Sequence, residues 1–176
     1  MKHGFIKVAA ASPVIKLADA YYNAEKTIEV IRLAQNTANQ NGNPQIEQPH
    51  LLAALLGYEN SLIAQLLRKM GIDDQAVRRE AEAAVDKLPK VSGGGREMDK
   101  IYINTDVERA LVAARERAQQ MKDEYLSVEH LFLGLLDKPS RTMAELWKSY
   151  AITEKTFLPA LQSVRGNARV TGETPE

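Results

Sequence analysis

The chain has no cysteine among its 176 residues. That excludes a disulfide framework, thiolate nucleophiles and cysteine-ligated metals, and it fits a reducing compartment. An excess of either charge is missing too: 23 Lys and Arg balance 23 Asp and Glu, for a formal net charge of zero. Nucleic acid and anionic membranes both favour a basic face, so neither is expected as a partner. Long apolar runs are also lacking; the longest fall far short of the roughly 20 residues of a membrane span. Lys7 and Lys16 interrupt the N-terminal apolar stretch, which does not read as a signal peptide. A cytoplasmic location is the expectation that follows.

What the chain has is an internal repeat. Ile46-Glu47-Gln48-Pro49-His50-Leu51-Leu52 returns eighty positions later as Leu126-Ser127-Val128-Glu129-His130-Leu131-Phe132. Ala34 and Ala38 fall on Ala114 and Ala118, Leu66 on Leu146, Ile72 on Ile152, and Val77 on Phe157. A fixed offset over this length marks a duplicated structural unit, and two packed halves leave a groove between them.

Apolar residues at helical spacing dominate both units. Ile28, Ile31, Ala34 and Ala38 make one stripe of a first helix over roughly 23–40, which Asn41-Gly42-Asn43-Pro44 breaks. Helices follow near 48–56, with Pro49 in the first turn, near 61–70, stopped by Gly71, and from Asp73 to about 88. Residues 89–95, with Ser92-Gly93-Gly94-Gly95, read as a linker, and Lys100-Ile101-Tyr102-Ile103 as briefly extended. Thr105-Asp106-Val107-Glu108 has the form of a capping box and opens four further helices near 105–122, 127–136, 141–149 and 153–165. Pro159 inside the last one calls for a kink or a later start. The resulting division is an extension over 1–22, a first repeat over 23–90, a linker over 91–103, a second repeat over 104–166, and the start of a tether over 167–176.

No catalytic constellation stands out. His50 and His130 hold equivalent places, but two histidines without cysteine are a thin ligand set. The plainer reading is that each sits near a helix start and bonds local backbone. Ser92-Gly93-Gly94-Gly95-Arg96 lacks the spacing of a phosphate loop. No metal, nucleotide or other cofactor is therefore expected. Lys122-Asp123-Glu124-Tyr125 joins two helices and is expected to expose carboxylates beside an aromatic ring. Asp123 and Glu129 make an acid pair without a nucleophile or an oriented base, which suits the rim of a peptide-binding groove better than catalysis.

Leu88-Pro89-Lys90-Val91-Ser92-Gly93, the run Met121-Lys122-Asp123-Glu124-Tyr125-Leu126-Ser127-Val128-Glu129-His130-Leu131, and Val164-Arg165-Gly166-Asn167 closely resemble the N-terminal domain of the ClpB disaggregases, within the wider class of double Clp repeat domains. The resemblance runs from about Asn23 to Glu176. It implies an all-α module of two four-helix Clp repeats, tethered above a hexameric ATP-driven ring. Such a module engages unfolded or aggregated polypeptide in cooperation with a DnaK-type chaperone, and has no ATPase motif of its own. By the same resemblance Asp123 and Glu129 match acidic positions implicated in substrate contact, and Ile31, Leu111 and Tyr125 match apolar positions around the groove. The family's opening helix usually begins with a Phe-Thr pair, whose threonine also contacts substrate; here Asn23-Ala24 stands there.

Two other readings remain to be weighed. One is an adaptor-docking module, as in the ClpA and ClpC branch, which binds one folded partner with defined stoichiometry. The other comes from Gly4-Phe5-Ile6-Lys7-Val8-Ala9-Ala10-Ala11-Ser12-Pro13, which reads as a strand and turn and resembles the opening strand of the nitrilase-like glutaminase domain of NAD synthases. An amidase of that type needs a Glu-Lys-Cys set, and the absence of cysteine rules it out.

Overall fold

Eight helices follow one another among the described residues, 18–91 and 102–165 of the computed structural model. They are α1 (Ala18–Gln40), α2 (Gln48–Gly57), α3 (Leu62–Lys69), α4 (Asp74–Asp86), α5 (Thr105–Gln120), α6 (Val128–Asp137), α7 (Arg141–Tyr150) and α8 (Glu154–Arg165). The all-α class and the order of four helices and then four more are as expected. The strand read at 4–13, the glycine run and residues 167–176 lie outside the described residues.

The arrangement turns on α2 and α6. Both are apolar nearly all round, and such a helix has to be enclosed by others. Leu51, Leu52, Leu55 and Leu56 of α2 and Leu131, Phe132, Leu133 and Leu135 of α6 are all buried. α1 packs on α2, and α5 on α6, through buried small residues: Val30, Ala34 and Ala38 in one half, Ala110, Ala114 and Ala118 in the other. Small side chains let helix axes approach closely. At Gly134 the approach leaves no room for a side chain: a Cβ would lie 2.3 Å from the Ala110 carbonyl oxygen. Its counterpart in the first half is Ala54, which is buried without such a restriction.

Local chemistry repeats with the sequence. Gly42 and Lys122 end α1 and α5 with φ of 75° and 61°. Gly71 and Ala151 end α3 and α7 with φ of 81° and 55°. Asp73 caps α4 by accepting from the Gln75 and Ala76 N–H groups, and Thr153 accepts from Thr156 N–H at the start of α8. The core contents differ. Phe132, Trp147 and Phe157 form a buried aromatic trio, with ring centroids 5.4 and 4.6 Å from Phe132. Leu52, Leu67 and Val77, all fully buried, occupy the same places in the first half.

The halves are pinned together by polar groups as well as by the shared core. Gln48, 1% exposed, donates to the Asp106 and Lys138 carbonyls at 2.9 Å each and accepts from Ser140 N–H at 2.9 Å. Thr27 donates its hydroxyl to the Leu126 carbonyl at 2.8 Å. Ile46 pairs with Ile103 in an isolated parallel bridge, at the end of the stretch read as extended; residues 100 and 101 of that stretch lie outside the described residues.

Two boundaries differ from the sequence reading, and one of the alternatives it left open at Pro159 is not taken. The cap of α5 is Asn104, whose side chain accepts from Val107 N–H at 2.9 Å; Thr105 is already helical. α1 begins at Ala18 and not near Asn23. The position equivalent to Asn104 is Ala24, which has no side-chain acceptor to stop the helix, so α1 runs back through Tyr22 and Tyr21. α8 runs from Glu154 straight through Pro159, so the later start is not taken. The helix instead forgoes the N–H that Pro159 lacks.

Candidate functional site

Each central helix carries a histidine at its third position, and burial forces both to find partners. His50 Nδ1 accepts from Glu47 N–H at 2.9 Å, and His130 Nδ1 accepts from Ser127 N–H at 2.9 Å. Each therefore bonds local backbone at its helix start, as expected. That bond assigns the remaining proton to Nε2. His50 Nε2 meets Asn43 Oδ1 at 2.8 Å, and His130 Nε2 meets Asp123 Oδ2 at 2.6 Å. Asn43 and Asp123 are themselves equivalent in the repeat. Burial disfavours the imidazolium of His50 and lowers its pKa to about 4. These are structural imidazoles. Among the described residues no three His, Asp or Glu groups converge as metal ligands.

The halves diverge at the next contact. Asn43 uses its amide hydrogens to donate to the Pro89 carbonyl at 2.9 Å, tying the α1–α2 loop to the end of α4. Asp123 has no hydrogen to give, and the end of α8 supplies a cation instead. Arg165 grips Asp123 with both guanidinium arms, at 2.7 and 2.9 Å, and reaches Glu129 at 3.4 Å. The side chains of Asp123, Glu129 and Arg165 are 0, 7 and 12% exposed. Burial opposes the charge of Arg165, but the hydrogen bonds and field of Asp123, with Glu129 behind, outweigh it and hold the guanidinium above its ordinary pKa.

This corrects the reading of 122–125 as a segment that exposes its carboxylates. Asp123 is enclosed because two donors, His130 and Arg165, converge on it from α6 and α8. The network joins Asp123 with Glu129. Tyr125, two residues on in the same loop, is 2% exposed, and its hydroxyl has no hydrogen-bond partner among the described residues. Burial, with Glu124 adding to it, raises its pKa. Ile31 and Leu111 lie outside the network, at equivalent points on α1 and α5, and both are half-buried. Around Glu129 the first half contributes Tyr58, whose pKa is raised chiefly by burial and in part by the Glu129 charge. The Lys26 ammonium stands 5.9 Å from the Tyr58 ring centroid.

Among the described residues, clefts open elsewhere, three of which bear on the repeat. One between the halves lies between α4 and α7, has a volume of about 610 Å³, and has Leu88, Leu146 and Tyr150 in its lining. The other two, of about 340 and 400 Å³, lie at equivalent places within each half, where Thr37, Asn41 and Val85 of one correspond to Arg117, Met121 and Arg165 of the other. Asp123, Glu129 and Tyr125 line none of the three. Sequence reasoning passed over Arg165 and Gln48. The repeat held the clue to the first: a neutral Asn43 faces a charged Asp123, and a buried charge needs a counter-charge.

The model of the Clp repeat (R) N-terminal domain matches residues 24–150. The chain belongs to that family. Its Clp repeats are homologous to the N-terminal region of ClpB chaperones. Chaperone protein ClpB of Corynebacterium diphtheriae is 40% identical over 151 residues, covering 86% of this chain and 17% of the relative. That of Nitratidesulfovibrio vulgaris is 36% identical over 153 residues, covering 86% and 18%. The chain thus spans less than a fifth of the length of these chaperones. In three dimensions the Clp repeats resemble the Hsp104 N-terminal domain from Candida albicans, with a TM-score of 0.70 at 23% identity over 82% of this chain and 92% of that one. The N-terminal domain of ClpD from Arabidopsis thaliana gives 0.59 at 20% identity over 80% and 95%. At such identities these two show the fold alone. No catalytic domain is evident beside the Clp repeats. Among the described residues no helix is long and apolar enough to cross a membrane.

Proposed function

We propose that this chain is the client-engaging module of a ClpB-type disaggregase. It binds exposed hydrophobic segments of unfolded or aggregated polypeptide, weakly and with little sequence preference. It hands them to an ATPase ring whose clients a DnaK-type system helps prepare, and it works in the cytoplasm. The observation that carries this reading is identity of 30–40% to ClpB chaperones over 151–159 residues, 86–88% of the chain. Half-buried apolar Ile31 and Leu111, with Tyr125 and the Asp123–Glu129 pair, are the proposed contact residues. Weak binding suits the role, because a small apolar surface with few fixed polar contacts leaves little surplus after the entropy of association.

Titrating the chain into a fluorescein-labelled, reduced and carboxymethylated protein, followed by anisotropy, is expected to give micromolar or weaker binding, with none to the same protein in its native fold. Ile31→Ser is expected to weaken binding about tenfold, the equivalent of about 1.4 kcal/mol of lost apolar contact. The competing reading is a docking module for one folded adaptor, as in the ClpA and ClpC branch. Saturable one-to-one binding of a native partner, with indifference to unfolded protein, would establish that reading and dismiss ours.

A further inference from the structure

Arg165 holds the two carboxylates proposed to contact clients, and this arrangement has a consequence for how clients enter. Its guanidinium meets both oxygens of Asp123 and one of Glu129. A planar fork on a carboxylate is the strongest geometry a cationic side chain attains. An uncharged client group is a poor substitute for that cation, because it would take a positive charge away from two buried carboxylates. We propose that Arg165 is an internal placeholder in the client site: a cationic side chain of the client displaces it, and displacement frees the C-terminal end of α8. This rests on the client-binding reading above.

The surroundings of α8 fit such a motion. Its N-terminal end is anchored to α5 by Glu154, whose carboxylate lies 2.7 Å from Arg117. Its C-terminal end is tied to the α5–α6 loop and α6 by Arg165. Between the two lies Pro159, which has no N–H to give the helix and leaves its middle weaker than a regular turn. Beside it Arg165 lines the cleft of about 400 Å³ with Met121, Leu158, Pro159 and Leu161. That volume exceeds many times the roughly 30 Å³ of a water molecule, so a released guanidinium has solvated space beside it. α8 leads toward residue 166, the side on which the longer ClpB relatives continue beyond the matched region. Engagement of a basic client is thereby converted into a loosened exit from the domain. Clients are selected for a basic residue next to an apolar one, a preference that apolar contacts alone do not supply.

Two fluorescein-labelled peptides test this, twelve residues of alternating leucine and serine with either lysine or norleucine at the centre. The wild-type chain is expected to bind the lysine peptide several-fold more tightly. With that peptide saturating, amide exchange at residues 161–165 should speed up several-fold; the norleucine peptide should leave it unchanged. Arg165→Gln should tighten the lysine peptide at least fivefold without tightening the other, and Arg165→Lys, which keeps a charge but loses the fork, should fall between. The exchange measurement needs only the wild-type chain, so it decides the matter even if a variant folds poorly. Exchange at 161–165 that is unchanged or slowed with the lysine peptide bound overturns the placeholder while leaving client binding intact. Failure of both peptides to bind the wild-type chain removes the client-binding reading, and the placeholder with it.

Discussion

Asp123→Ala is expected to lower the unfolding free energy by about 3–5 kcal/mol, the range for removing one partner of a buried ion pair. The substitution takes the bidentate grip from the Arg165 guanidinium, 12% exposed, which keeps only its longer contact with Glu129 among the bonds described, and it takes the Asp123 acceptor from the enclosed Nε2–H of His130. Asp123→Asn should cost about half as much, because an amide oxygen still serves His130, as Asn43 serves His50. Urea unfolding followed by circular dichroism measures both. A loss below about 1 kcal/mol for the alanine variant would place Asp123 among ordinary surface carboxylates, whose pairs contribute little. The same reasoning disqualifies Asp123→Ala as a test of binding. Glu129→Gln is the cleaner probe, since it keeps the size of the side chain and leaves the bidentate grip on Asp123 in place.

Gly134→Ala is expected to lower the melting temperature by about 2–12 °C. A Cβ at 2.3 Å from the Ala110 carbonyl oxygen is not tolerated, and the obstacle is backbone. α5 and α6 have to separate along their whole contact, and such overpacking costs about 1–3 kcal/mol. For a chain of this length each kcal/mol is worth about 2–4 °C. Ala54→Gly, the mirror-image change in the first half, removes only a methyl group and should cost about 1 kcal/mol through helix propensity. Calorimetry on the two variants checks the asymmetry. A shift below about 2 °C for Gly134→Ala would mean that α5 and α6 do not approach as closely as described.

Most of the fold was legible because the repeat was. Eighty residues separate His50 from His130, Leu66 from Leu146 and Val77 from Phe157, and each pair lands in equivalent buried positions. Helix ends were readable where the capping residue has a strong local preference. Asp73, Gly71 and Pro49 stand where the sequence put them, because an acceptor before a helix, a left-handed glycine after one and a missing N–H in a first turn are local requirements. Ends without such residues were misplaced or unmarked. Ala151 takes a left-handed conformation that alanine does not advertise, and α1 overran Asn23 because nothing there stops it.

The candidate site was only half legible. The acid pair could be named from Asp123 and Glu129 themselves, but their burial depends on Arg165, 42 residues from Asp123 along the chain. Helical periodicity places Arg165 at the end of α8 without saying which loop that end meets. Gln48 is a similar case. Its three bonds across the seam go to backbone groups of Asp106, Lys138 and Ser140, which carry no side-chain signal in a sequence.

The most direct measurement is a two-dimensional NMR titration of the 176-residue chain with a denatured client, reading backbone amides residue by residue. The perturbed resonances are expected around Ile31, Leu111, Tyr125, Glu129 and Arg165, with those lining the α4–α7 cleft, such as Ala84, Leu88, Leu146 and Tyr150, unaffected. Perturbations confined to that cleft, or spectra that do not change at saturating client, would contradict it.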